Sequence, residues 1–167
     1  DTVEGVAFAP DGAKIAAALA DGSVAIWDSA ALGEPSAGGR LHTSFVSALA
    51  WSPDGSLLAT ASTDGTVRID RADLGETRGG IATIFQRFAS ISWSPDGASL
   101  AVARGENAVD VYDSQSLTTP RSSIPVAGQT TDVAWSPSGG TIAAGNRNGD
   151  LVIFSIATRR VSRTVSN

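Results

Sequence analysis

The sequence predicts an all-β repeat protein: four stacked units, each a meander of four antiparallel strands. Three observations carry this. One turn phrase recurs as Phe8-Ala9-Pro10-Asp11-Gly12, Trp51-Ser52-Pro53-Asp54-Gly55, Trp93-Ser94-Pro95-Asp96-Gly97 and Trp135-Ser136-Pro137-Ser138-Gly139, its aromatic residues 43, 42 and 42 positions apart. Each turn is flanked by apolar runs of strand length, Val46 to Trp51 and Leu57 to Ala61 in the second copy, too short for helices. Large and small residues alternate along them: Leu49 and Trp51 fall on one face, Ala48 and Ala50 on the other. Such units cannot bury both faces alone and must stack on neighbours.

The elements of a unit follow in order. The phrase joins strands one and two. A second turn, Asp21-Gly22, Asp64-Gly65, Glu106-Asn107 and Asn148-Gly149 in the four copies, is a hairpin signal and leads into a third strand: Val24 to Trp27, Val67 to Ile69, Val109 to Tyr112 and Leu151 to Phe154. A more polar fourth strand closes the unit, around Arg78 to Phe85 in the second copy and Arg160 to Val165 in the last. The predicted unit boundaries are approximately 1–42, 43–84, 85–126 and 127–167, forming one repeat domain. Radial stacking of such sheets is the propeller solution to the edge-strand problem, so the fold class is a partial or small β-propeller.

The run Val46-x-x-Leu49-x-Trp51-Ser-Pro-Asp-Gly-x-Leu57-Leu58-Ala-x-x-Ser62-x-Asp64-Gly-x-Val67-Arg68-Ile69 resembles the WD-repeat family, and the resemblance extends over all four units. The turn phrase alone is shared with Tol-system and prolyl-peptidase propellers. The Asp-Gly-x-Val-x-Ile-Trp-Asp run from Asp21 to Asp28 favours WD repeats. The resemblance implies a structural tetrad of His, Ser or Thr, Asp and Trp in each blade, kept here in pieces. The first unit has Asp21 and Trp27 but Leu19 in the Ser position. The second has His42, Ser62 and Asp64 but Asp70 in the Trp position. The third and fourth place Tyr112 and Phe154 there, with Glu106 and Asn148 for Asp and no His.

Composition bounds the function. The 167 residues are 42% apolar, contain no run long enough to cross a membrane as a helix, and show no signal-peptide pattern at the N-terminus. Cysteine is absent, which removes disulfides and thiolate metal sites and favours a cytoplasmic location. A net charge of −5 argues against nucleic acid as partner. Arg supplies eleven of the twelve basic residues, with only Lys14 as Lys, a coding bias that suggests a bacterial source.

No catalytic, metal or cofactor site is expected. His42, Ser62 and Asp64 contain the residue types of a nucleophilic triad, but there is no G-x-S-x-G elbow to expose the serine, and their positions fit the tetrad. The single His and the dispersed carboxylates do not suit zinc. Asp70-Arg71-Ala72-Asp73 and Gly38-Gly39 match no calcium loop or phosphate cradle. Arg159, Arg160 and Arg163 form a basic cluster that could meet an acidic partner or shield an edge strand.

The resemblance places the loops ahead of strand one on the face that WD-repeat proteins use for binding. Thr2, Phe45, Arg87 and Gln129 occupy these loops, with Thr63, Arg104 and Arg147 near the second turns of the same face. Phe45 and Arg87 are residue types enriched at interface hot spots, whereas Phe88 aligns with Val3 and Val46 and is expected to tuck into the core. The function implied is a noncatalytic scaffold for a protein or peptide partner. Two alternatives place catalysis outside this chain: a regulatory or sensing part of a larger bacterial signalling enzyme, or the accessory propeller of a hydrolase. WD-repeat rings hold about seven blades, so further blades of a parent chain, a second copy, or closure into a four-bladed ring are expected to cover apolar end faces, exposing residues such as Val6 and Phe8 or Val152 and Phe154 until covered.

Overall fold

The computed structural model describes residues 2–75, 77–82, 90–105 and 107–166, with the side chains at 78, 81 and 82 outside that description. Every regular element among these residues is a β-strand. The chain comprises two compact units, residues 1–88 and 89–167.

The first unit contains two antiparallel sheets, each in chain order: β1 (Val3–Phe8), β2 (Lys14–Leu19), β3 (Ser23–Asp28) and β4 (Ala37–Arg40), then β5 (Val46–Trp51), β6 (Leu57–Ser62), β7 (Thr66–Arg71) and β8 (Thr77–Ala82). The turn between β5 and β6 shows why the phrase recurs. The Ser52 hydroxyl donates to Asp54 Oδ1 at 2.6 Å and accepts the Leu57 N–H at 2.9 Å, while Asp54 Oδ1 also accepts the Ser56 N–H at 3.0 Å. Gly55 closes the turn at φ 69°, a conformation that strains any residue with a Cβ. The Ser52 hydroxyl and the Ser56 main-chain and side-chain donors hold the Asp54 carboxyl below its usual range.

The alternation along β5 sets the packing between the two sheets. Trp51 is buried, its indole N–H donates to the Ala7 carbonyl at 3.1 Å, and Leu49 lies over Gly5, where no side chain intervenes. Ala16, Ala18, Val24, Ile26, Val46 and Leu58 fill the core around them. Val6 and Phe8 align with Leu49 and Trp51 but are 68% and 65% exposed.

The second unit repeats the plan with β9 (Ser90–Trp93), β10 (Ser99–Ala103), β11 (Ala108–Asp113), β12 (Ser122–Pro125), β13 (Thr130–Trp135), β14 (Thr141–Asn146), β15 (Leu151–Ser155) and β16 (Arg160–Val165). Here Ser92 Oγ accepts the Trp135 main-chain N–H at 3.1 Å, and Ser90 donates to Asp132 at 2.6 Å. The core is Val109, Val111, Ile124, Val133, Ile142 and Phe154 with their neighbours. Of the apolar residues expected at end faces, Val6 and Phe8 are exposed, whereas Val152 and Phe154 are 5% and 6% exposed and belong to the core. The fourth strand of the second sheet is described over Thr77–Ala82, and Phe85 lies outside the described residues.

Candidate functional site at the loop end of the sheets

The polar brace of the second sheet is built around His42, whose side chain is fully buried. Its Nε2 lies 2.8 Å from Thr60 Oγ1 and its Nδ1 2.8 Å from Thr66 Oγ1. The Thr66 hydroxyl donates to Asp64 Oδ1 at 2.6 Å. Its one proton is therefore committed, so it must accept from His42 Nδ1–H, leaving Nε2 to accept from Thr60. Asp64 Oδ2 takes the Thr43 N–H at 2.8 Å. Burial pushes the His42 imidazole below its ordinary value despite the nearby Asp64. Burial would raise Asp64, but the Thr66 hydroxyl and the Thr43 and Thr66 amides outweigh it and hold the carboxyl low.

Ser62, assigned to this tetrad by the resemblance, does not reach His42. Its hydroxyl donates instead to the Phe45 carbonyl at 2.8 Å and shares with that of Ser44 at 3.1 Å, while accepting the Asp64 N–H at 3.1 Å. Thr60, two residues earlier on the same face of β6, supplies the hydroxyl. With both imidazole nitrogens engaged by threonines and the serine turned to main-chain carbonyls, His42, Ser62 and Asp64 do not form a nucleophile–base pair.

The Trp position of this blade is filled by charge. Asp70 is 2% exposed; Arg68 approaches it at 3.0 Å and the Thr77 hydroxyl donates to it at 2.6 Å. In the first sheet Asp21 accepts from the Ser23 N–H at 2.9 Å, and the Trp27 indole donates to the Gly33 carbonyl at 3.2 Å. In the second unit Tyr112 donates to Asp110 Oδ2 at 3.3 Å, and Arg104 Nε lies 3.0 Å from the same oxygen. Burial, then the Asp110 charge, pushes the Tyr112 phenol up to about 12. Phe154 is core. Asn146 takes over loop clipping from serine: its amide donates to the Ala127 carbonyl and to Asp150, and its Oδ1 accepts the Asn148 and Asp150 amides. Glu106 lies outside the described residues.

The loops ahead of strand one are fixed by one repeated bond. The carbonyls of Thr2, Phe45 and Gln129 accept the N–H groups of Ala20, Thr63 and Arg147 at 3.0, 3.0 and 2.9 Å. Phe45, Thr63 and Gln129 are half-buried, and Thr2 and Arg147 are exposed. Arg104 is not free to reach a partner in the same way, since its guanidinium is engaged with the buried Asp110. Arg87 and Phe88 lie outside the described residues.

Each unit also carries a groove that alternation alone does not reveal. In the first unit Leu41, His42, Thr43, Thr66, Arg68, Thr77 and their neighbours line about 360 Å³. In the second, Pro125, Val126, Ala127, Asp150, Val152, Val161 and Thr164 line about 420 Å³ at the equivalent positions. Both are mostly apolar; the first contains the brace and is the more polar of the two. Among the described residues no group of three His, Cys, Asp or Glu side chains could hold a metal ion, and no helix is long and apolar enough to cross a membrane.

The sequence profile of the WD domain, G-beta repeat family matches residues 1–28 and 37–69. No curated protein sequence matches the chain. Among solved structures, the β-propeller domain of Cps50 (Swd1) from Myceliophteria thermophila superposes with a TM-score of 0.89 at 22% identity, over 99% of this chain and 55% of that one. The chain thus spans about half the length of this structural neighbour.

Proposed function

We propose that this chain, whose residues 1–28 and 37–69 match the WD-repeat profile, is a noncatalytic scaffold whose loop end binds a protein or peptide partner. The observation that carries the reading is the repeated clamp of the Thr2, Phe45 and Gln129 carbonyls. It fixes the loop backbones while leaving Phe45, Gln129 and Arg147 at least partly accessible. Pre-ordered loops lower the entropy lost on association, and aromatic residues and arginine are the types enriched among binding anchors. The register of the repeats in the sequence adds Arg87 as a further candidate. Quantitative pull-down with the intact chain tests this: Phe45→Ala and Arg147→Ala should each reduce recovery of the same partner, while Glu34→Ala, an exposed change between β3 and β4, should not. Equal recovery from all three variants sinks the loop end as the binding face.

The exposed Val6 and Phe8 support a second part of the proposal. They occupy the positions by which Leu49 and Trp51 join the second sheet to the first, so their natural cover is a further blade, from a longer parent polypeptide or a second copy. Light scattering on the 16.9 kDa chain separates these. A dimer dissociated by Phe8→Lys supports a second copy, and a monomer that aggregates unless Phe8 is made polar supports parent blades. A well-behaved monomer indifferent to Phe8→Lys refutes the need for cover.

A further inference from the structure

Each sheet has two edge strands, and β4, β8, β12 and β16 are the edges that close the four sheets in chain order. Such edges are usually blunted. β4 is four residues long and reads Ala-Gly-Gly-Arg; β12 is also four residues long and ends in Pro125, which has no N–H. β16 differs: it has six residues, contains neither glycine nor proline, and is exposed along its whole length. It is long enough to template another strand.

The two sides of that edge have opposite chemistry. Pairing with β15 sets Val161 against Phe154 and Thr164 against Val152, with Arg160 against Ser155 and Arg163 against Ile153. The irregularity between Ile153 and Phe154 accommodates Ser162, whose hydroxyl donates to the Ile153 carbonyl at 3.0 Å. Val161 and Thr164 consequently share the face of the second unit's groove, where Pro125, Val126 and Val152 supply apolar walls. Arg160 and Arg163 share the other face, and Arg159 stands at φ 54° in the preceding turn. All three arginines are exposed, and no ion pair engages them among the described residues. The chain as a whole carries −5, so this is a local reversal of charge.

We propose that the β16 edge and the groove beside it dock an extended acidic segment of a partner protein, with aliphatic residues alternating with carboxylates. An added strand directs successive side chains to opposite faces. One set enters the groove beside Val161 and Val152, and the other meets Arg160 and Arg163. Main-chain bonds to β16 supply affinity, and the alternation supplies selectivity. Asp150 at the groove excludes a carboxylate from the apolar side. Pairing with β16 of a second copy would bring two arginine sets together, which disfavours self-association. The groove shares Val126 and Ala127 with the loop ahead of β13, but the edge strand and its arginines include none of Phe45, Gln129 and Arg147, so this proposal does not depend on the loop-end reading.

The test uses the intact 167-residue chain and three blocked octapeptides: (Val-Glu)4, (Val-Lys)4, and (Val-Glu)4 N-methylated at alternate residues. Fluorescence anisotropy should show saturable binding of (Val-Glu)4 below about 1 mM, with the lysine and N-methylated peptides at least roughly tenfold weaker. Arg160→Glu/Arg163→Glu should reverse the preference for glutamate over lysine, and Phe45→Ala should change neither. Main-chain amide shifts should map to residues 160–165 and to Val126 and Val152. Circular dichroism establishes that the charge-reversed variant is folded; should it not be, the peptide comparisons on the unaltered chain still decide. Failure of (Val-Glu)4 to bind, equal binding of the lysine or N-methylated peptide, or shifts confined to the loop end overturns the proposal.

Discussion

Replacing Thr60 by Val tests the brace at its least solvated point. Thr60 is 0% exposed and the His42 side chain is equally inaccessible, so water cannot replace the lost hydroxyl. The substitution preserves side-chain shape, adds no cavity and removes only the donor 2.8 Å from His42 Nε2. The imidazole nitrogen is then a buried acceptor without a partner, a loss of about 1–3 kcal/mol. In denaturant unfolding the midpoint should fall with the slope unchanged. Thr60→Ser, which keeps the hydroxyl, should recover most of the loss. In a His42→Phe background the same Thr60→Val change should be nearly neutral, giving a coupling energy of about 1 kcal/mol or more in the cycle. A Thr60→Val variant within about 0.5 kcal/mol of the parent, or one equally destabilised with and without His42, would show that the Thr60–His42 bond does not support the fold.

Acid should act in two stages. Burial holds His42 below its unfolded value of 6.5, so the unfolded chain binds the extra proton first. Stability is complete above that value and declines as pH falls toward the folded-state value, a limb that His42→Phe should remove in pH-dependent unfolding. Asp54 and Asp96, lowered from 3.8 first by the hydroxyls of Ser52 and Ser94, stabilise above that value, and their contribution is lost as pH falls through their depressed values. Trp51→Phe forfeits the indole bond to Ala7 and should cost about 1 kcal/mol beyond the packing change. Trp135→Phe should cost less, since its buried indole N–H has no partner; thermal unfolding of the two variants gives the comparison, and the reverse order refutes it. Ser138→Asp should stabilise by about 0.5–1.5 kcal/mol, because Ser138 meets Ser136 at 3.2 Å and Gly140 at 3.5 Å where the aspartates achieve 2.6 and 3.0 Å. An unchanged denaturation midpoint counts against that turn account.

Strands one to three were legible because both their boundaries and their faces are written in short-range pattern. The Ser-Pro-Asp-Gly turn encodes its own hydrogen bonds, and the Leu49/Trp51 alternation encodes the face packed on β1. The brace was less legible. Thr60 and Ser62 are two residues apart and share a face of β6, so period-two reasoning cannot choose between them; their positions relative to His42 do. Asp70 read as a gap in the Trp position, because its compensation by Arg68 and Thr77 depends on how β7 and β8 pair. Arg104 read as a loop cation, because nothing local announces the buried Asp110 six residues on. Phe45 is half-buried, between an exposed interface anchor and a core position. The grooves were invisible for the same reason: their walls come from a connecting loop and two strands whose spacing is fixed only by folding.

The gradient of burial across a sheet has an evolutionary consequence. Within the last sheet, β14 alternates half-buried and buried residues, whereas all six residues of β16 face solvent. Random substitution should therefore be purged on the inner strands and tolerated on the outermost one, provided its main-chain pairing survives. An outer strand of this kind can acquire or lose a ligand preference through a few surface changes while the inner sheet keeps its shape, letting recognition drift faster than architecture.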